Sequence, residues 1–487
     1  MLSYKSILGQ TKKPVFWAVV VALLYAAVTI YITIHLMYDS YHSSAFDLGV
    51  FAQELKNTLQ GQILYSSAIG GSQFAPHFSP VLLLLVPVYW VFPHVQMLLV
   101  VQALLLAFGG YLVYVLACEY NCSHRASLVL ETFYFINPLV WGVAMFDFHE
   151  VAFAIPALLV MFLGMKRKNW ILFGIGFVIA LATKEDAVVA LGVFGFILMV
   201  SGYLQSKKIS KISLIIFCSA ILTYGISIAV SRLASGGEHT RLLSYFTTRY
   251  AYIGQPLSVG LPLAFHAVFS TDSLFLIIAY LAPLAFIPLL SPKWSIPALL
   301  ILLSCIFSTW SGQHSSLTQY SAVAIPFLFV AFIEVLPKVL RNRQIKLLVI
   351  KTKNRAVLYF TVFLIIISVS IIHKTNIYMA TSPDAHDANI DQVIALIPDN
   401  ATVTASNKIF PHLVSRTDVY LDAQEGVELQ QSAGIIRSDW GFPDKDTEYV
   451  VLDTGYTPVM APDIKLLVKN YKLIKTIAGV KLYQLNP

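Results

Sequence analysis

Charge is what this chain has least of. Asp, Glu, Lys and Arg together make up 12% of its 487 residues, against about 25% in an ordinary soluble chain. That scarcity excludes water as the main solvent of the fold. Cysteine is also scarce, with Cys118, Cys122, Cys218 and Cys305 as the whole complement and none in the last hundred or so residues. A disulfide framework is thereby excluded. Cys118 and Cys122 are too isolated to form a zinc site and read as small interfacial residues. Internal repeats and low-complexity tracts are absent, which excludes solenoids and disordered linkers.

What is present is apolar: 57% of residues are hydrophobic. They fall in blocks of about 18 to 25, the length needed to cross a hydrocarbon core of roughly 30 Å. The net charge of +7 hides two opposite parts, because residues 1–373 carry 23 Lys and Arg against 12 Asp and Glu, while 374–487 carry 10 against 14. The basic excess sits in short loops between apolar blocks, where it sets topology and meets anionic membrane lipids rather than nucleic acid. Lys5, Lys12 and Lys13 precede the apolar run Val15 to Met37, with no small-residue cleavage pattern after it, so the start reads as an uncleaved anchor.

Basic loops mark the cytoplasmic side. With Lys166-Arg167-Lys168, Lys207, Lys208, Lys211 and the run Lys338 to Arg355 inside, the expected spans are 15–37, 95–117, 127–145, 151–165, 170–183, 187–204, 212–232, 273–290, 295–309, 320–337 and 356–373. The expected fold is an all-α polytopic membrane bundle of about eleven transmembrane helices, N-terminus cytoplasmic. External segments follow at 38–78, 233–272 and 310–319, with 79–92, broken by Pro80 and Pro87, as a re-entrant or interfacial piece. Residues 374–487 are expected to form a soluble extracytoplasmic α/β domain. Its helix lies near 387–397, its strands at 402–405, 418–421, 448–452, 471–477 and 479–484, and helical periodicity returns at 463–470. Asn400-Ala401-Thr402 is a sequon on that side.

Ionisable groups at membrane depth or at the mouth of a bundle cost free energy and so point to function. Four clusters stand out, all on the external face of this topology: Asp47 with Glu54 seven residues on, His77, Asp147-Phe148-His149-Glu150, and Lys184-Glu185-Asp186. Each has a plainer reading. Asp47 sits where a helix dipole favours a carboxylate, His77 reads also as an interfacial histidine, and Lys184-Glu185-Asp186 as a self-neutralised turn. The second turn is the hardest to set aside, since it packs three ligand-type side chains into four residues. The chemistry that suits the set is transfer from a phosphate-linked lipid. Asp47 is the expected general base, with Asp147 and Glu150 beside it. Asp47, Asp147, His149 and Glu150 are the candidate ligands of one magnesium or manganese ion. Lys184, Arg241 or Arg249 would neutralise the phosphate. The aromatic stretch 245–252 would stack on sugar or line a lipid groove, or else form an interfacial belt.

The runs Phe46-Asp47-Leu48-Gly49-Val50-Phe51, His77-Phe78-Ser79-Pro80, Phe146-Asp147-Phe148-His149-Glu150 and Lys184-Glu185-Asp186 resemble a prokaryotic family of membrane proteins known as domain of unknown function 2079. So do Ala405-Ser406-Asn407 with Pro411-His412-Leu413, and Tyr320-Ser321-Ala322 with Pro326-Phe327-Leu328-Phe329. More distantly, the arrangement is similar to GT-C glycosyltransferases, which use polyprenyl-phosphate-linked sugars. That likeness implies an acid in the first external loop, matched by Asp47, and a second acidic pair, matched by Asp147 and Glu150. It leaves His149 as a departure. The expected function is therefore a GT-C-like glycosyltransferase taking a lipid-linked sugar donor, with Tyr320, Glu54, His77, Glu185 and Asp186 near the substrate. The alternative is a non-catalytic or transport protein that binds a lipid-linked glycan or small solute. Transport favours ionisable groups at the bilayer midplane, whereas these gather at one face.

Overall fold

The computed structural model describes residues 4–236, 249–314, 318–342, 355–376, 381–416, 418–421, 447–454 and 470–486. Among these the chain is mostly helical. Four helices are long and apolar enough to cross a membrane: Pro14–Tyr38, Gln96–Glu119, Glu185–Ser206 and Lys211–Ala234. Two pairs reach that length only jointly, His124–Phe135 with Pro138–Met145, bent by 49°, and Leu257–Val268 with Thr271–Leu284, bent by 42°. Each bend has a local cause. Asn137 and Ser270 take backbone N–H groups of the helices that follow them, at Leu139 and Ser273. Pro138 then occupies a first-turn position, where a missing N–H costs nothing.

Hydropathy led to about eleven spans; by length and composition the described helices give four, or six if each bent pair is one span. The reason is length. Ala154–Arg167 has 14 residues, Trp170–Leu181 has 12 and Pro292–Ile306 has 15, all short of the roughly 20 that span a bilayer. The expected external segment 233–272 contains the apolar helix Leu257–Val268, which reaches spanning length only with Thr271–Leu284 across the 42° bend. Gly260 and Pro262 inside that run made it read as loop. The stretch after Ser79 is short: a 3₁₀ turn, Pro80–Leu85, runs into the one-and-a-half-turn helix Val86–Val91.

Helix packing rests on small residues. A Cβ on Gly176 would lie 2.4 Å from the Met161 nitrogen and 2.5 Å from the Ala157 carbonyl oxygen, and one on Gly164 would lie 2.3 Å from the Phe173 nitrogen. The helices Ala154–Arg167 and Trp170–Leu181 therefore touch backbone to backbone. Gly110 likewise leaves the space that the Phe135 ring fills.

The segment 38–78, expected as the first external one, carries regular structure. A π-type turn, Ala45–Gly49, leads into the helix Val50–Leu59, followed by a small hairpin of β1 (Tyr65–Ser66) and β2 (Gly71–Ser72). The C-terminal region forms a five-stranded sheet of β3 (Val403–Ala405), β4 (Val419–Leu421), β5 (Tyr449–Asp453), β6 (Tyr471–Ile477) and β7 (Val480–Leu485). Its order is β4-β3-β5-β7-β6, parallel from β4 to β5 and antiparallel beyond. The helix Ala385–Ile394 starts on a capping box between Asp384 and Asp387. The helical stretch expected from 463 lies outside the described residues up to 469. Asn400 of the sequon is exposed.

Two large apolar cores result. One fills the bundle. The other joins Leu48, Phe51 and Leu55 of the first external segment to Phe148 and to Val403, Phe410 and Leu482 of the sheet region. Where a Gly49 Cβ would sit, the Phe410 ring stands 2.7 Å away. The sheet is thus seated on the first external segment through shared burial rather than tethered beside it.

The backbone contact at Gly176 sets a test. Gly176→Leu should overpack the helix pair and cost about 1–3 kcal/mol or more, lowering the thermal midpoint of the purified protein. Gly174→Leu, where a Cβ meets nothing within 4 Å, should leave it unchanged; equal midpoints for the two variants would refute the close packing.

Candidate functional site

The site begins at the turn after Met145. Gln102, 1% exposed in the middle of the apolar helix Gln96–Glu119, donates through Nε2 to the carbonyl oxygens of Val143 and Phe146, each at 3.0 Å. Its Oε1 accepts the His149 N–H at 3.0 Å. One amide therefore fixes both ends of the segment that carries Asp147, His149 and Glu150.

Glu150 is completely buried. Its Oε1 lies 3.2 Å from the Lys184 Nζ and accepts the Ser79 hydroxyl at 3.3 Å. Its Oε2 is 2.5 Å from His149 Nδ1, though the two atoms are poorly aligned for a hydrogen bond. Burial alone would raise the Glu150 pKa; the charges of His149 and Lys184 outweigh it and hold the carboxyl below its ordinary range. Burial pushes the His149 imidazole the other way, below its ordinary value, although Glu150 pulls it back. The Lys184 ammonium, 3.2 Å away, favours the ionised form of Glu150.

His149 Nε2 points at Asp47, 3.7 Å from Oδ1. Asp47 belongs to the Ala45–Gly49 turn and keeps 23% of its side chain exposed. Desolvation and the neighbouring Asp147 push its pKa up to about 7, against the opposing pull of Lys184. Asp147 Oδ2 accepts the Ser44 N–H at 2.8 Å and its hydroxyl at 3.1 Å, so the carboxylate caps the turn that carries Asp47. Burial still raises the Asp147 pKa, with Lys408 and the Ser44 bonds opposing.

The remaining clusters join from the other side. Lys184 sits just before the helix Glu185–Ser206 and is 5% exposed. Glu185 accepts the Phe78 N–H at 2.5 Å and lies 3.4 Å from His77 Nδ1. Asp186 is solvent-exposed. Glu54 is fully buried, and neither carboxyl oxygen has a hydrogen-bond partner among the described residues; burial, then Glu150, drives its pKa well up, so it is a neutral acid.

Arg249 and Tyr320 form a second group. The Arg249 guanidinium stacks 3.4 Å over the Trp310 ring centroid and 5.6 Å from that of Tyr320. Both Arg249 and Asp186 lie within electrostatic reach of Cys305. Beside this group His314 contacts Ser270 and Ser273 at 3.5 and 3.4 Å. Ser270 also lines an apolar groove of about 930 Å³ walled by Leu261, Pro262, Phe265, Phe269 and Phe307. Arg241 lies outside the described residues.

The four residues expected to hold magnesium or manganese meet, but not as an open cage. Glu150 Oε1 is engaged by Lys184 and Ser79 and Asp147 Oδ2 by Ser44, whereas Asp147 Oδ1, Glu150 Oε2 and His149 Nδ1 are buried with no hydrogen-bond partner among the described residues. No group of three or more His, Cys, Asp or Glu side chains among the described residues is arranged to hold a metal. A fixed ammonium at the centre also repels a divalent cation. The donor set does not fit the ion.

Sequence reasoning did not single out Gln102, Ser44 or Lys408. Gln102 had a usable signal, a lone amide within a strongly apolar helix. Ser44 had none, because its part is played mainly by a backbone N–H.

Comparisons with known proteins follow this geometry. The family model described as predicted membrane protein (DUF2079) matches residues 37–451. Among solved structures the chain is similar to the crystal structure of ArnT from Cupriavidus metallidurans in the apo state. The identity is 12% and the TM-score 0.55, covering 96% of this chain and 97% of that one, so the likeness is one of fold. A search of curated proteins returns no match.

The buried pair at the centre can be tested by a double-mutant cycle. Lys184→Met should destabilise by about 3–5 kcal/mol, since it leaves a buried carboxylate without its cation. Adding Glu150→Gln should recover part of that loss. Thermal unfolding of the two single variants and the double would show it; strictly additive losses would mean the pair is not coupled.

Proposed function

The chain belongs to the DUF2079 family of predicted membrane proteins, and we propose that it is a membrane glycosyltransferase that moves a sugar from a polyprenyl-phosphate-linked donor to an acceptor outside the cytoplasm. The overall likeness is to ArnT, a GT-C glycosyltransferase. The observation that carries the reading is the meeting of Asp47, Asp147, His149, Glu150 and Lys184, from three separate segments, in one connected cluster that leaves only Asp47 partly open. A partly exposed carboxyl with a pKa pushed up to about 7 suits proton abstraction near neutral pH.

In this reading Asp47 takes the proton of the acceptor hydroxyl as its oxygen attacks the anomeric carbon. The bond from that carbon to the phosphate oxygen breaks, and the polyprenyl phosphate leaves with the electron pair. Asp147 holds the Asp47 turn through Ser44, and His149 orients the base. Glu150 and Lys184 fix His149 and keep the floor of the site dry. Arg249, backed by Trp310 and Tyr320, faces the phosphate. The apolar groove beside Ser270 receives the start of the isoprenoid chain. His77 and Glu185 brace the turn at Phe78, while Asp186, exposed at the rim, meets the incoming sugar.

The test is release of polyprenyl phosphate from a panel of polyprenyl-phosphate sugars by the protein in lipid nanodiscs. Asp47→Asn should lower the rate about 100-fold or more while leaving the protein folded. Because the base must be ionised, the parent rate should rise with pH through about 7 and level off above it. Full activity in Asp47→Asn would remove Asp47 from the chemistry, whereas a parent protein that binds the donors but releases no polyprenyl phosphate would favour a binder of lipid-linked glycans over a transferase.

A second measurement addresses the cation. With Glu150 and Asp147 engaged internally, transfer should survive a strong chelator. Activity lost on chelation and restored by magnesium or manganese would return a divalent ion to the mechanism.

A further inference from the structure

The cluster described so far is built from the helical part of the chain, yet the turn that carries Asp47 is held from the C-terminal sheet. After β3 the chain makes a turn anchored in the sheet, where the Ser406 N–H donates to the Val451 carbonyl and the Ser406 hydroxyl oxygen accepts the Asp453 N–H at 2.9 Å. From that anchored turn Asn407 reaches the first external segment. The Ala45 N–H, at the first residue of the π-type turn, donates both to the Asn407 carbonyl at 3.0 Å and to its Oδ1 at 2.9 Å. The next residue, Lys408, donates from Nζ to the His42 carbonyl at 2.5 Å. Two residues further on, the Phe410 ring fills the space above Gly49.

Residues 42, 45 and 49 are therefore gripped by 408, 407 and 410 in turn, on either side of the Ser44 that binds Asp147 and of Asp47 itself. Asn407 is 9% exposed, so these bonds are shielded from competing water. The charge of Lys408 is the first influence, after burial, felt by Asp147. A passive domain contact would need only the apolar surface that Phe410 supplies; a buried amide and a lysine directed at the same turn do more than bury area.

We propose that Asn407 and Lys408 are positioning residues of the site, Asn407 fixing at Ala45 the turn that presents Asp47 and Lys408 holding at His42 the backbone that leads into it. The C-terminal domain thereby becomes part of the active site instead of a separate recognition module. The inference deepens the transferase reading, in which Asp47 is the base, but its test does not depend on that role. A helix start with several unsatisfied N–H groups is otherwise free to fray. Here the Asn407 carbonyl and amide oxygen and the Asp147 carboxylate occupy two consecutive donors, Ala45 and Ser44.

The experiment uses the full-length protein in nanodiscs and dicyclohexylcarbodiimide, an apolar reagent that adds to protonated carboxyl groups, with modified residues located by peptide mass spectrometry across a pH series. Lys408→Met should increase modification of Asp147 about threefold near neutral pH, as expected when a nearby compensating charge is removed. Lys408→Arg, which keeps the charge, should restore the parent profile. Asn407→Ala should increase modification of Asp47 by a similar factor, because a loosened turn exposes the carboxyl. Asn407→Leu, which keeps the bulk and removes the side-chain acceptor for Ala45, gives the same reading through a raised Asp47 profile should Asn407→Ala fold poorly. Unchanged profiles at Asp47 and Asp147 in well-folded Lys408→Met and Asn407→Leu would overturn the proposal, leaving a structural interface. So would a Lys408→Arg profile that matches Lys408→Met. Failure of the transferase reading shows separately, as no release of polyprenyl phosphate by the parent protein alongside shifted modification profiles in the variants.

Discussion

A carboxylate with no solvent exposure is intolerable in an apolar bundle unless a cation and hydrogen-bond donors are brought to it, and Glu150 imposes that requirement on its surroundings. Lys184 must come from the start of one helix, Ser79 from the short segment before another, and His149 from the neighbouring position. Once these are in place the rest of the site has little freedom. His149 is held at its backbone by Gln102 and at its ring by Glu150, and its second nitrogen is then directed at Asp47. The usual balance for a buried ion pair is close to zero in stability, so its value lies in fixing geometry.

The same cluster pushes two acids on opposite sides of the His149 ring in opposite directions. Glu150 has the Lys184 ammonium beside it and is held below its ordinary range; burial and the neighbouring Asp147 push Asp47 up to about 7. A pair of carboxyl groups whose surroundings push them apart in pKa is a usual sign of divided labour between a structural anion and a working base. Lys184 supplies a positive charge 3.2 Å from the buried Glu150 carboxylate. Glu54, buried and neutral one helical turn beyond the Ala45–Gly49 turn, adds no charge to this balance.

Architecture serves the cluster through continuity of burial. The apolar core under the sheet runs without interruption into the first external segment, so the turn bearing Asp47 is clamped between the bundle, through Asp147 and Ser44, and the sheet, through Asn407 and Phe410. Stiffness on both sides is what a positioned base needs.

Much of this was legible in the sequence, and the boundary has a physical basis. Composition and block length fixed a membrane protein, because the cost of burying charge acts on each residue separately. The five strands of the C-terminal region were readable from alternation and turn residues, a local signal, and the four polar clusters stood out because charge is rare in this chain. Span number was not legible, since Asn137, Ser270, Gly260 and Pro262 end or bend helices that hydropathy averages over. Nor were the contacts that join the clusters. Ser44 and Asp147 lie 103 positions apart and Ala45 and Asn407 lie 362 apart, and no periodicity records such distances. The sequence determined which groups are too costly to leave unpaired in lipid; only the tertiary structure decided which partner each one found, because that choice depends on how the helices and the sheet close around them.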